Sequence, residues 1–297
     1  ERIADRVTIL RDGDHVATRD VRELDQPAMA RLMVGRELTD MYPDKRDTTD
    51  APVALAVRDL HVDDLVEGAS FDLRHGEVLG FAGLVGAGRT ELFEGLIGLR
   101  PARGRIELDG RPLTIRRPED AQRAGIAYLT EDRKGKGLIT DLPLDVNLTL
   151  QALRRFARPL LDRSAERTAL KEAVERYDIR ASSLDSLAGE LSGGNQQKLV
   201  VAKILLSEPR IVILDEPTRG IDVGTKREMY FLIEELARSG LAIVVISSEL
   251  PEIVGLSHRV VVMRSGRITG VLDGDAIDEH EIVQYATGLK RQGEFHD

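Results

Sequence analysis

The sequence predicts an α/β protein built on a mainly parallel sheet with helices on both faces. Two observations predict this. Near-continuous aliphatic runs of strand length, such as 211–214 and 241–246, alternate with stretches whose apolar residues recur at helical spacing. One such run, 77–82, leads directly into a glycine-rich loop and then a helical pattern. Taken in order, strands are expected at 54–58, 69–73, 77–82, 105–108, 126–129, 210–214, 241–246 and 259–263. Helices are expected at 90–97, 118–124, 165–177, 195–206 and 225–238. The stretch from about 145 to 190 breaks the alternation and predicts a separate helical lobe.

The two ends of the chain repeat one pattern. Arg6, Val7, Arg11, Gly13, Asp25 and Gly35 match Arg259, Val260, Arg264, Gly266, Asp278 and Gly288 without a gap, and apolar Met29 and Leu32 fall opposite Ile282 and Tyr285. Both segments read as strand, tight turn, strand and glycine-ended helix. A parent protein with two tandem copies of one domain explains this. On that reading, residues 1–40 are the tail of the preceding copy, 41–53 are a linker by their prolines and charges, and 54–297 are the second copy. A start at Glu1, without methionine, fits a fragment.

Composition narrows the class. The 297 residues are 42% hydrophobic and 31% charged, with a net charge of −9 and no cysteine. The negative balance argues against a general nucleic-acid partner. The lack of cysteine rules out disulfides and thiolate metal sites. No run approaches the roughly 20 apolar residues needed to span a bilayer.

Residues Gly83-Leu-Val-Gly86-Ala87-Gly88-Arg89-Thr90 follow an apolar strand and open a helix, with Glu91 next. Glycines let backbone N–H groups turn inward onto phosphate oxygens, and a helix N-terminus favours the negative charge. Thr90 is placed to give its hydroxyl to Mg²⁺. Asp215 and Glu216 end a strand of aliphatics, where Asp215 would hold Mg²⁺ through water and Glu216 would polarise an attacking water. Ser192, Gly193 and Gly194 sit where another helix begins, as an N-cap and a second anion cradle.

The string Leu191-Ser-Gly-Gly-Asn-Gln-Gln-Lys198, the run Ile211-Val-Ile-Leu-Asp-Glu-Pro217 and the glycine loop together resemble the ATP-binding-cassette (ABC) ATPases. Val34-Gly-Arg-Glu-Leu38, Thr130-Glu-Asp-Arg-Lys134 and Asp215-Glu-Pro-Thr-Arg-Gly-Ile-Asp222 are similar to the second cassette of tandem ATPases for bacterial monosaccharide import, of ribose, xylose or galactoside type. The resemblance implies a P-loop NTPase fold with an antiparallel β subdomain, ATP and Mg²⁺ as cofactors, and a peripheral place on the cytoplasmic face of the membrane. It implies as partners a first cassette in the same polypeptide, membrane permease subunits and, indirectly, a sugar-binding protein. It also assigns Glu131 to the Q-loop position, Asp222 to the aspartate that crosses to the other cassette, and Ser248 to the switch position. His61 is the candidate for adenine stacking. Arginine at 89, glutamate at 131 and serine at 248 depart from the family's lysine, glutamine and histidine. This pattern predicts a cassette whose own site binds Mg-ATP but turns it over slowly, while its signature completes the site of the other cassette. A catalytically silent regulatory cassette and a soluble ABC ATPase outside transport are the alternatives.

Overall fold

The computed structural model describes residues 4–11, 14–23, 41–157 and 160–290. Its centre is a six-stranded sheet in the order β12-β11-β5-β10-β9-β8. These strands are β5 (Val78–Gly83), β8 (Ile126–Leu129), β9 (Ile211–Asp215), β10 (Ala242–Ile246), β11 (Arg259–Arg264) and β12 (Arg267–Asp273). All neighbours pair in parallel except β12, which folds back antiparallel on β11. A second sheet, wholly antiparallel, has the order β4-β3-β6-β7 and contains β3 (Val53–Val62), β4 (Val66–Arg74), β6 (Ala102–Leu108) and β7 (Arg111–Leu113). The architecture is the one the sequence predicts.

Every residue of β9 and β10 is buried, which is why these strands read as unbroken aliphatics rather than alternating ones. Their side chains divide between two cores. Val212, Leu214, Ile243 and Val245 face one core, together with α6 (Gly193–Leu205), α7 (Val223–Arg238), α8 (Leu250–Leu256) and α9 (Glu279–Thr287). Ile211, Ile213, Val244 and Ile246 face the other, with α1 (Arg89–Leu96) and the antiparallel sheet. Phe71, Phe81 and Phe93 fill that second core, and Phe81 meets Phe93 edge to face at 4.7 Å. The short α2 (Pro118–Arg123) precedes β8.

Between β8 and α6 lie α3 (Leu144–Thr149), α4 (Leu153–Phe156) and α5 (Arg163–Arg176). Asn147 organises the entry to this stretch. Fully buried, it donates to the carbonyls of Ile139, Leu142 and Pro143 and accepts from the Ile139 amide at 2.8 Å. Asp162 caps α5, accepting from the Ser164 and Ala165 amides. No helix among the described residues is long and apolar enough to cross a membrane.

The hairpin of β1 (Arg6–Arg11) and β2 (Asp14–Asp20) has the register of β11–β12. Arg6 faces Asp20 as Arg259 faces Asp273, and the register shifts after Ile9 in one hairpin and after Val262 in the other. Short 3-10 turns follow both, at Val21–Glu23 and Gly274–Ala276. Gly13, Asp25, Met29, Leu32, Gly35 and the string 34–38 lie outside the described residues.

The polar segment from Met41 onward is strapped onto the fold. Tyr42 stacks on Tyr230 of α7 at 5.0 Å, and Lys45 donates to the carbonyls of Val254 and Ser257 at the end of α8. A lysine at a helix C-terminus also meets the favourable end of the helix dipole. The strap needs Gly255, because a Cβ there would stand 2.3 Å from the Tyr42 ring. Alanine is favoured over glycine in a helix by about 1 kcal/mol, so Gly255→Ala sets helix propensity against the strap. The expected result is faster tryptic cleavage after Lys45 and Arg46, with the rest of the chain resistant. Unchanged cleavage would contradict the contact.

Candidate active site and signature cluster

The order of the sheet brings the C-terminal ends of β5, β10 and β9 side by side, the place where open α/β sheets bind ligands. Beyond β5 the chain passes through the glycine loop into α1. Gly86 and Gly88 have φ of 78° and 97°, left-handed values that favour glycine. Gly83 is confined by packing, since a Cβ there would lie 2.5 Å from the Met263 carbonyl oxygen. No side chain caps α1, so its first N–H groups are left for another acceptor. Ala87 anchors the loop by accepting from the Gly266 amide at 2.9 Å. Glu91 lies in the first turn of α1.

Arg89 does not extend over this loop. It is buried, and its guanidinium donates to the Ser247 carbonyl just beyond β10 at 2.6 Å. Burial lowers its pKa, and the nearby carboxylates of Glu216, Asp215 and Glu91 oppose that shift. Arginine here acts as a tie between the loop and β10 and as a counter-charge to the carboxylates at the end of β9.

Asp215 is fully buried. Tyr128, on the neighbouring β8, donates its hydroxyl to Asp215 Oδ2 at 2.7 Å, while Oδ1 is buried with no partner. Burial pushes the Asp215 pKa up, and the Tyr128 hydrogen bond, the nearby Thr90 hydroxyl and the Arg89 charge pull it down. A buried, unpartnered carboxylate oxygen beside the Thr90 hydroxyl suits a divalent cation in chemistry and charge. The next residue, Glu216, takes a φ of 50°, uncommon outside glycine and a sign that its position is held by its surroundings. Its amide donates to the Ile246 carbonyl at 2.8 Å, and its carboxylate accepts from Ser248 Oγ at 3.1 Å. Burial raises the Glu216 pKa, opposed by Ser248 and Arg89. Thr90, Asp215, Glu216 and Ser248 are thus gathered around Arg89.

Behind them Glu252 accepts hydrogen bonds from Ser247 Oγ and, at 2.8 Å, from Thr218 Oγ1. Burial raises its pKa from 4.5 to about 7. Between those values the folded chain keeps a proton that the unfolded chain has released. Stability therefore falls as pH rises from about 4.5 through 7, by up to roughly 3 kcal/mol. Glu252→Gln is expected to flatten that slope. Urea unfolding should find the variant more stable than the parent at pH 8 and not at pH 5. Equal slopes would contradict the assignment.

The remaining candidates form a second cluster. Ser192 caps α6, and its Oγ accepts from Asn195 Nδ2 at 2.9 Å. Gly194 packs so tightly on α7 that a Cβ would approach Thr225 Cγ2 to 2.7 Å, and a Cβ at Gly193 would meet the Gly220 carbonyl and the Arg133 guanidinium. Asp222 caps α7, accepting from the Thr225 amide at 3.0 Å and the Thr225 hydroxyl at 2.6 Å. Glu131 is ion-paired with Arg219 in the loop after β9, which joins the 130–134 segment to the segment that carries Asp222. His61 hydrogen-bonds Asp59 at 3.0 Å, and its neighbours Leu60 and Val62 are buried in the core. From the β3–β4 turn Leu65 reaches the glycine loop, where its carbonyl oxygen would lie 3.2 Å from a Cβ on Gly88.

Residues 66–219 match the family described as ABC transporter. The chain belongs to that family. Among curated relatives of this cassette, "Ribose import ATP-binding protein RbsA 3" of Rubrobacter xylanophilus is 51% identical over 97% of the chain and 58% of the relative. "Ribose import ATP-binding protein RbsA 2" of Rhizobium meliloti is 46% identical over 97% of the chain and 57% of the relative. The chain therefore spans a little over half the length of these relatives. Its fold is similar to the solved cbiO1 of Clostridium perfringens, described as part of the ABC transporter complex cbiONQ (TM-score 0.65, 23% identity, 78% of this chain and 94% of that one). It is also similar to a nucleotide-free ATP-binding cassette from an ABC transporter (TM-score 0.67, 20% identity, 79% and 95%).

Sequence reasoning missed Tyr128, Ser247 and Leu65. Only the adjacency of β8 to β9 and of β5 to β10 makes the first two partners of site residues. No local pattern signals them.

Proposed function

We propose that this chain is the second cassette of a two-cassette ATPase that powers import of a sugar of the ribose class. It would work at the cytoplasmic face of the membrane with permease subunits and, indirectly, a sugar-binding protein. The observation that carries the reading is the convergence of Thr90, Asp215, Glu216 and Ser248 at an uncapped helix N-terminus. The names of the relatives and the matching registers of the two hairpins support the sugar class and the tandem arrangement. On this reading residues 1–40 end the first cassette and 41–53 are the linker.

In this mechanism the backbone of Gly83–Gly88 and the first turn of α1 hold the ATP phosphates. Thr90 and Asp215 would hold Mg²⁺, and the chemistry it would supply is neutralisation of the charge on the transferred phosphoryl group. Glu216 orients and polarises the attacking water, and Ser248 fixes the Glu216 carboxylate. Serine in place of histidine at the switch, and Arg89 tied to Ser247, each remove a donor from the transferred phosphoryl group. Loss of one preorganised donor lowers rate by about 10²–10³. Turnover at this site is therefore slow. Ser192, Gly193 and Gly194, with Asp222 beside them, complete the site on the first cassette.

The test is ATP-dependent uptake by the full two-cassette protein reconstituted with its permease and binding protein, using labelled ribose, xylose and a galactoside. Uptake of one of them supports the reading. ATPase activity indifferent to permease and to every sugar contradicts it. A second reading, a silent regulatory cassette, draws on the withdrawal of Arg89 toward Ser247. It predicts nucleotide binding with no turnover from this site in any assembly.

A further inference from the structure

Tyr128 belongs to two places at once. Tyr128 is one of the residues lining a groove of about 780 Å³ between α1, α2 and the residues after β8, with Glu94, Gln122, Lys136 and Gln151 also in the walls. Its hydroxyl donates to Asp215 Oδ2 at 2.7 Å. Asp215 is fully buried, so water cannot replace that bond.

A carboxylate can exchange its two oxygens by turning about its last bond. A donor fixed to one oxygen stops the turning and commits the other to a single direction. Oδ2 is held by Tyr128, and Oδ1 is the atom left buried without a partner. An O–H donor at this distance to an ionised carboxylate is a strong, charge-assisted bond.

We propose that Tyr128 is a positioning residue for the metal-binding carboxylate. It holds Asp215 by Oδ2 so that Oδ1 faces a divalent cation, and it makes the wall of the groove part of the support of the metal site. The inference rests on the assignment of Thr90 and Asp215 to Mg²⁺ made above.

The test is a Mg²⁺ titration of the whole chain with a fluorescent ATP analogue, alongside the chain's own tyrosine emission. The sequence contains no tryptophan to mask that emission and only five tyrosines. A phenol bonded to a carboxylate emits weakly, so a cation that draws on Asp215 alters the signal from Tyr128. Tyr128→Phe keeps the ring and removes the bond. It is expected to raise the Mg²⁺ concentration at half-saturation by about 10-fold or more, since partners that orient metal ligands are typically worth about 10–100-fold in affinity. It should also abolish the Mg²⁺-dependent change in tyrosine emission. Tyr177→Phe, at the end of α5, should leave both unchanged, and thermal unfolding checks that each variant folds. An unchanged midpoint in Tyr128→Phe, with parent-like Mg²⁺ dependence of emission, would overturn the proposal. A parent chain whose nucleotide binding ignores Mg²⁺ would overturn the metal-site assignment itself, and the role of Tyr128 with it.

Discussion

Ser192→Arg in the two-cassette protein is expected to lower steady-state ATP turnover by about 10²-fold or more. Nucleotide binding at this chain's own phosphate loop should be unchanged. The large effect follows from what the serine does. Its Oγ caps α6, and the two glycines after it leave no side chain over the helix N-terminus. An arginine side chain loses the cap and fills the space through which a phosphate from the facing cassette would reach those amides. Losing a cap alone costs about 0.5–2 kcal/mol, which weakens the helix end without unfolding a domain. Gly194 has no room to adjust, because it is packed against Thr225. A variant with full turnover would remove the signature from the mechanism.

Arg89→Ala is the second large effect, and it separates the arginine's structural role from its catalytic one. The substitution strips the Ser247 carbonyl of its buried donor and removes the cation beside Asp215 and Glu216. A lost hydrogen bond to a charged group costs about 1.5–3 kcal/mol, so chemical denaturation should register a loss of about 2 kcal/mol. With the cation gone, burial pushes both carboxylates further toward their neutral forms, and Mg-ATP affinity should fall at neutral pH. Arg89→Lys keeps the charge but not the planar head. It should restore affinity more fully than stability, because an ammonium freed from Ser247 can turn toward the phosphates. If Arg89→Ala were as stable as the parent, the tie to β10 would have no energetic role.

Much of the fold could be read from the sequence, for a physical reason. Strands such as β9 and β10, buried on both faces, must be aliphatic throughout, and a helix that packs by one face repeats its apolar residues. Helix α8 escaped because it is short and carries Pro251 and Gly255, both of which usually signal a break. Here the proline sits in the first turn, where its missing N–H costs nothing, and the glycine makes room for Tyr42. In the site, the residues carried by contiguous motifs were legible: the glycine loop, Asp215–Glu216 and Ser192–Gly194. Contacts between distant segments were not. The resemblance assigns Glu131 to the Q-loop position, but nothing in the string discloses its ion pair with Arg219. Nor does the string around Arg89 disclose that its guanidinium turns to Ser247. Such pairings depend on strand order and loop path, which local pattern does not encode.

On the proposed function, this cassette holds Mg-ATP at its own loop while contributing its signature to another. The most direct measurement compares Mg-ATP binding and steady-state turnover by the chain alone with turnover by the full two-cassette protein, with Glu216→Gln in both. The chain alone is expected to bind Mg-ATP but to turn it over at least about 10²-fold more slowly than the full protein, and Glu216→Gln is expected to remove little of the full protein's activity. Turnover by the chain alone at the rate of the full protein, abolished by Glu216→Gln, would contradict it.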